Sequence, residues 1–323
     1  MDVYRSLGEL ALPASWVTIG TFDGLHLGHQ ALIREAVEGA HREGLPAVVV
    51  TFFPSPGAVL GKVASPMYLL APEQKSALLA EMGVDVQVVM RFDHELSLLS
   101  AEQFVELLVA HLGMRHLMVG EDFALGHNRE GNVPRLKELS GPHGFGVDVM
   151  GRVSVGGERA SSSRVRKALL EGRVGEAAAL LGRWYALQGK VIQGAHRGKS
   201  LGFPTANLDF WPEQMTPKDG IYASWVEWRG GRFQAATNVG RRPTFEDGNA
   251  RLEVEAFLLD VDQDLYGQEL SVEFVSYLRP EEKFPDSASL IAKMQEDVTS
   301  TREVLSHAAN PPGLPVGPAE AEA

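Results

Sequence analysis

From residue 16 to about residue 182, short β-branched runs alternate with longer stretches whose apolar positions recur every three or four residues. That alternation predicts a parallel sheet covered by helices. Residues 16–20 read as a strand, Asp23-Gly24 as a turn, and Leu32, Ile33, Ala36, Val37 and Ala40 as one face of a helix. Strands are expected at 47–53, 86–90, 116–120 and 147–150, and helices at 75–82, 100–112, 161–170 and 174–181, with Ser100 and Gln103 spaced as a capping box. After Arg183 the period changes to two, and glycine and proline become frequent. The runs 186–193, 221–228, 233–238, 252–259 and 270–277 predict a small antiparallel barrel, closed by a helix over 287–305.

Length agrees with this division, since 323 residues exceed what one hydrophobic core usually serves. The expected domains are 1–183 and 184–308, followed by a Pro-, Gly- and Ala-rich tail, 309–323, with too little apolar matter to order. With 44% hydrophobic and 22% charged residues, both domains can bury a core. The chain has no cysteine and no cationic segment leading into an apolar stretch, so a cytoplasmic location is expected. No run approaches the roughly 18 apolar residues of a membrane span. A net charge of −12 argues against a nucleic-acid partner, whose binding rests on clustered cations. A small phosphorylated ligand needs only a few local cations and backbone N–H groups.

The segment GTFDGLHLGHQ lies at a strand end and a helix start, the edge of a parallel sheet where ligands bind. His26 and His29 are three apart and share a face once the helix has begun, with Gly28 between them allowing close approach. Two imidazoles beside a helix N-terminus suit a polyphosphate, donating hydrogen bonds where charge develops on the α-phosphate. Taken alone they are also compatible with two surface histidines beside a turn. A zinc site lacks the four-residue spacing and an evident third ligand. Far along the same domain, SSSRVRKALLEG opens a helix with Ser161, Ser162 and Ser163 as caps and Arg164, Arg166 and Lys167 as positive charge. In isolation it is equally a capped helix with a solvated basic face.

Together with TFFPSPG and VGEDFALG, these two motifs resemble the adenylyltransferase module of bacterial bifunctional riboflavin kinase/FMN adenylyltransferases. The resemblance implies a Rossmann-like nucleotidyltransferase domain that transfers an adenylyl group from ATP to FMN and releases pyrophosphate. His26 and His29 would then contact the ATP phosphates, and Ser163 with Arg166 would complete the clamp. Gly20, Phe22, Asp23, Gly24 and Gly28 would line the nucleotide, and Phe123 would touch the flavin. The family usually has threonine at the position of Ser163, and Glu and His where this chain has Phe53 and Ser55.

In the second domain, GAHRGKSLGFPTANL ends like a phosphate-binding P-loop at Gly198-Lys199-Ser200. Three residues instead of four separate Gly194 from Gly198, and Pro204 would break the helix a P-loop needs. What remains is a glycine loop carrying Arg197 and Lys199, able to wrap phosphates. Thr205 and Asn207, two apart on an extended segment, offer hard oxygen donors suited to Mg2+. GKSLGFPTANL, GIYASWV, NVGRRPTF, DLYG and LRPEEKF resemble, in order, the riboflavin kinase module of the same family. That implies a six-stranded barrel phosphorylating the riboflavin 5′-hydroxyl from ATP, with Thr205 and Asn207 on Mg2+. Gly194, Gly198, Lys199 and Gly202 would hold the nucleotide. Glu253 and Glu255 point the same way on a strand, and Glu255 matches the family's catalytic position, while Arg279 is expected either near the flavin or in a surface ion pair. The expected whole is a two-step enzyme using riboflavin, FMN and ATP. A kinase beside a weakened adenylyltransferase and a non-catalytic flavin sensor are the alternatives.

Overall fold

The computed structural model describes residues 1–61, 67–193, 203–243, 250–308, 310–311 and 316–318. They divide into two compact units, the chain through Ser161 with the short strand Val316–Pro318, and the chain from Ser162 onward. No helix among the described residues is long and apolar enough to cross a membrane.

The first unit contains β1 (Asp2–Tyr4), β2 (Ser15–Ile19), α1 (Leu27–Arg42), β3 (Ala47–Phe52), α2 (Pro56–Val59), α3 (Pro72–Glu81), β4 (Val86–Met90), α4 (His94–Ser97) and α5 (Ala101–Leu112). β5 (Met114–Gly120), β6 (Ala124–Leu125), β7 (Gly131–Asn132), α6 (Val133–His143), β8 (Gly146–Met150), β9 (Val153–Val155) and β10 (Glu158–Arg159) complete it. Six strands form one parallel sheet in the order β1-β4-β3-β2-β5-β8. Alternate side chains feed two cores, as a sheet covered on both faces requires. Val17, Ile19, Val48, Val50, Leu117 and Val119 pack under Phe104, Val105 and Leu108 of α5. Trp16, Ala47, Val49 and Met118 pack under Ile33, Ala36 and Val37 of α1 and Leu79 of α3. The strand order reverses between β2 and β5, so the crevice where a doubly wound sheet binds ligands lies beyond their carboxyl ends. The expected capping box forms: Ser100 Oγ accepts from the Gln103 N–H at 3.1 Å, and Gln103 Oε1 accepts from the Ser100 N–H at 2.9 Å.

The second unit begins with α7 (Ser162–Leu170) and α8 (Val174–Leu181). A closed antiparallel barrel follows: β11 (Tyr185–Ile192), β12 (Ala206–Phe210), β13 (Gly220–Trp228), β14 (Gly231–Pro243), β15 (Ala250–Leu258) and β16 (Glu269–Arg279), ordered β11-β12-β15-β14-β13-β16. Its last helix is α9 (Ser287–Ser306). Val239, Val254, Ala256 and Leu258 fill the interior, while Glu255 and Phe257 alternate to the outer face. Sequence pattern groups α7 and α8 with the first domain, yet they pack with the barrel. Ala178 of α8 clusters with Trp184, Ala223, Val275 and Leu305, and the Lys218 N–H donates to the Leu169 carbonyl at 2.9 Å. The tail also differs from expectation at one place. Residues 316–318 pair antiparallel with β9, the ladder's hydrogen bonds ordering what apolar burial alone would not.

Candidate active sites

In the first unit the site grows from the end of β2. The chain leaves the sheet at Ile19 and turns through Gly20–Gly24, with Phe22 at φ 46°, Gly24 at φ 81° and Leu25 at φ 43°. Left-handed backbone at two bulky residues is strained and persists only where packing enforces it. Phe22 is 2% and Leu25 1% exposed, so packing does enforce it. His26 caps α1: its Nδ1 accepts from the His29 N–H at 3.3 Å, which leaves the proton of a neutral ring on Nε2. The two imidazoles stack with centroids 3.7 Å apart, and Phe22 meets His29 edge-on at 5.3 Å. A Cβ on Gly28 would lie 3.1 Å from the His26 ring, which would have to give by a few tenths of an ångström to admit it.

Burial, followed by the neighbouring His26 ring and the Lys75 ammonium, holds the His29 pKa well below the ordinary imidazole value. His29 is therefore neutral at pH 7, and its Nδ1 is buried with no hydrogen-bond partner among the described residues. The unfolded chain binds a proton near pH 6.5 that the folded chain resists, so this contribution favours unfolding as pH falls below about 6.5. Denaturant midpoints at pH 7.5 and 5.5 are expected to differ less in His29→Asn than in the parent chain.

Asp23 is buried, and its Oδ1 accepts from the Leu69 N–H at 2.9 Å. The hydrogen bond from Arg152, with Arg159 beside it, keeps the Asp122 carboxyl below the usual range, in the loop that follows β5 on the other side of the crevice. Phe123 in the same loop is half-buried against the core. Phe53 is 37% exposed and its ring lies 5.7 Å from Tyr68, whose Oη accepts from the Ser55 N–H at 3.0 Å. The residue that sequence pattern misses is Lys75, which reads as an ordinary helix lysine yet is buried with its Nζ donating to the Thr21 carbonyl at 2.9 Å. Ser163 and Arg166 stand on α7, within the second unit. Among the described residues, His26 and His29 belong to no group of three metal-ligating side chains.

In the barrel, β12, β15 and β14 are neighbours, and their register aligns Asn207 with Glu255 and Glu255 with Asn238. Asn238 and Glu255 of this row border a cavity of about 270 Å³ between the outer barrel wall and α9, lined also by Phe203, Thr205, Phe257 and Met294. Apolar and polar side chains share that lining, which suits a planar heteroaromatic ligand with a polar arm. Thr205 and Asn207 supply neutral oxygen donors beside a carboxylate, a set that fits a hard divalent cation. Asn238, which sequence pattern also misses, donates to Glu281 at 3.0 Å while its Oδ1 is buried without a partner among the described residues. An asparagine inside a strand, where that residue is depleted, was the available signal. Gly194, Gly198, Lys199 and Gly202 lie outside the described residues.

Arg279 lines the cavity, but its guanidinium is committed: Nε and Nη2 donate to Asp297 of α9 at 2.8 and 2.7 Å. The two side chains are only 12% and 10% exposed. Removing one partner of a largely buried pair strands the other charge, so Asp297→Ala is expected to lower the unit's stability by about 3 kcal/mol, read from urea unfolding.

A doubly wound sheet with stacked imidazoles at its switch point, joined to a barrel with a carboxylate-edged cavity, defines a protein with two phosphate-transfer centres. Comparison with known proteins specifies which. The FAD synthetase family matches residues 10–164 and the riboflavin kinase family residues 181–305. Bifunctional riboflavin kinase/FMN adenylyltransferases from Listeria monocytogenes and Escherichia coli K12 are 35% and 36% identical, covering 88% and 89% of this chain and 91% of each relative. The Haemophilus influenzae protein of the same name is 36% identical over 94% of this chain and 98% of its own. The crystal structure of a macrolide-efflux protein from Streptococcus pneumoniae is similar at a TM-score of 0.85 and 29% identity, covering 93% of this chain and 98% of that one. The chain belongs to the bifunctional riboflavin kinase/FMN adenylyltransferase family. It is a two-activity enzyme that phosphorylates riboflavin to FMN and adenylylates FMN to FAD. Both reactions use ATP, and families of this kind typically use a divalent metal.

Proposed function

We propose a division of labour in which each activity has its own constellation. What supports it is that the histidine pair and the Asn207–Glu255 pair are each assembled inside one compact unit. In the barrel, the riboflavin ring system occupies the cavity against α9 and its 5′-hydroxyl faces Glu255. The carboxylate takes the hydroxyl proton as oxygen attacks the γ-phosphorus, and ADP departs. Thr205 and Asn207 hold Mg2+, which when bound neutralises charge on the phosphoryl oxygens. The loop with Gly194, Gly198, Lys199 and Gly202 holds the nucleotide, and Arg279 shapes the flavin wall through Asp297.

In the α/β domain, an FMN phosphate oxygen attacks the α-phosphorus of ATP and pyrophosphate leaves. Nε2–H of His26 and the His29 ring stabilise the developing charge. Gly20, Phe22, Asp23, Gly24 and Gly28 line the nucleotide, while Phe123 contacts the flavin. Functionally, the adenylyltransferase module runs through Arg183 and the kinase module from Trp184, in a cytoplasmic enzyme whose partners are riboflavin, FMN and ATP.

One assay tests this reading. Pure protein incubated with riboflavin, ATP and Mg2+ is expected to yield FAD with FMN as the intermediate. FMN alone would mean an inactive first domain, the outcome that Phe53 and Ser55 in TFFPSPG make the natural second reading. Unchanged riboflavin would mean a flavin sensor.

A further inference from the structure

Lys75 is buried at the start of α3, where an ammonium is costly to keep charged, and a methionine would fill similar space without that cost. What holds it is specific. Its Nζ donates to the Thr21 carbonyl at 2.9 Å, and the same oxygen accepts from Thr51 Oγ1 at 3.3 Å. One carbonyl thus ties together the turn after β2, the end of β3 and the first turns of α3. Thr21 immediately precedes the left-handed Phe22, whose ring packs edge-on against His29. A shift of the Thr21 peptide would therefore pass directly into the position of the catalytic imidazole.

We infer that Lys75 is a positioning residue for adenylyl transfer, holding the strained Thr21–Leu25 turn that presents His26 and His29. The inference rests on the reading of those histidines as the adenylyl-transfer pair. Among the described residues, Asp23 from the turn attracts the ammonium, and the His29 ring, stacked on His26, is the group it disfavours charging. Thr21 and Thr51 are neutral. Burial lowers the lysine's own pKa and Asp23 opposes that shift, and the ammonium in turn disfavours protonation of the His29 ring stacked on His26.

The test uses the full chain, whose riboflavin kinase activity reports that the second unit is intact. Lys75→Met is expected to lower kcat for FMN-to-FAD conversion about tenfold or more, with KM for ATP changed by no more than about twofold. Lys75→Arg, which keeps charge and donor, is expected to recover most of it. NMR titration of labelled histidine adds a readout that follows the charge: the His29 midpoint should rise in Lys75→Met and in Lys75→Gln, and stay low in Lys75→Arg. Should Lys75→Met not fold, Lys75→Gln, which retains a donor for Thr21, carries the same titration test. An unaltered kcat in Lys75→Met, equal losses in the Met and Arg variants, or an unmoved His29 midpoint would each overturn the inference. His29→Ala in parallel separates the two levels. If it leaves FAD formation intact, the underlying reading of the pair fails. If it removes FAD formation while Lys75→Met does not, the positioning role alone fails.

Discussion

Glu255→Gln is expected to reduce FMN formation from riboflavin by about 10²- to 10⁴-fold, the usual contribution of a general base. The glutamine keeps the size and hydrogen-bonding reach of the side chain at its place opposite Asn207 and Asn238, so the barrel should fold as before. What it loses is the ability to accept a proton. Because the histidine pair is built within the other unit, the same variant supplied with FMN should make FAD at the parental rate. Chromatographic separation of riboflavin, FMN and FAD from two parallel incubations reads both steps. Equal loss of the two activities would show that the pockets are not independent.

His29→Ala produces the mirror image, with FAD formation from FMN falling by about 10²- to 10³-fold, as when one preorganised donor at a developing charge is removed. Riboflavin phosphorylation should continue, so FMN accumulates. The variant also removes one half of the stack and the edge contact with Phe22, and part of the loss will come from His26 no longer being held. His29→Asn restores a polar group of similar reach without the ring. If donor chemistry dominates, Asn recovers activity; if the stack dominates, it does not.

The elements governed by periodicity are legible in the sequence. The 3.6-residue pattern of α1 and α5 and the alternating runs of β13, β15 and β16 all follow from burial of one face, which hydrophobic spacing reports directly. Elements governed by something else are missed. α6 carries Pro134 in its first turn, a tolerated position, and Pro142 inside its last turn, so its pattern reads as broken. β12 is hidden inside TANLDF, where only Ala206 and Leu208 are buried and Asn207 and Asp209 face outward. β1 is only three residues long and is recognised by its pairing with β4. The proximity of the two histidines, and of Asn207 and Glu255, concerns residues that short motifs single out. Lys75 and Asn238 are not legible, since each acquires meaning only from what lies opposite in space.

The Arg279–Asp297 link bears on ionic strength. It joins β16 to α9, which walls the barrel cavity, and both side chains are almost sealed from water, where dissolved ions screen charge weakly. With riboflavin in that cavity, as proposed, added potassium chloride should accordingly leave its affinity nearly untouched.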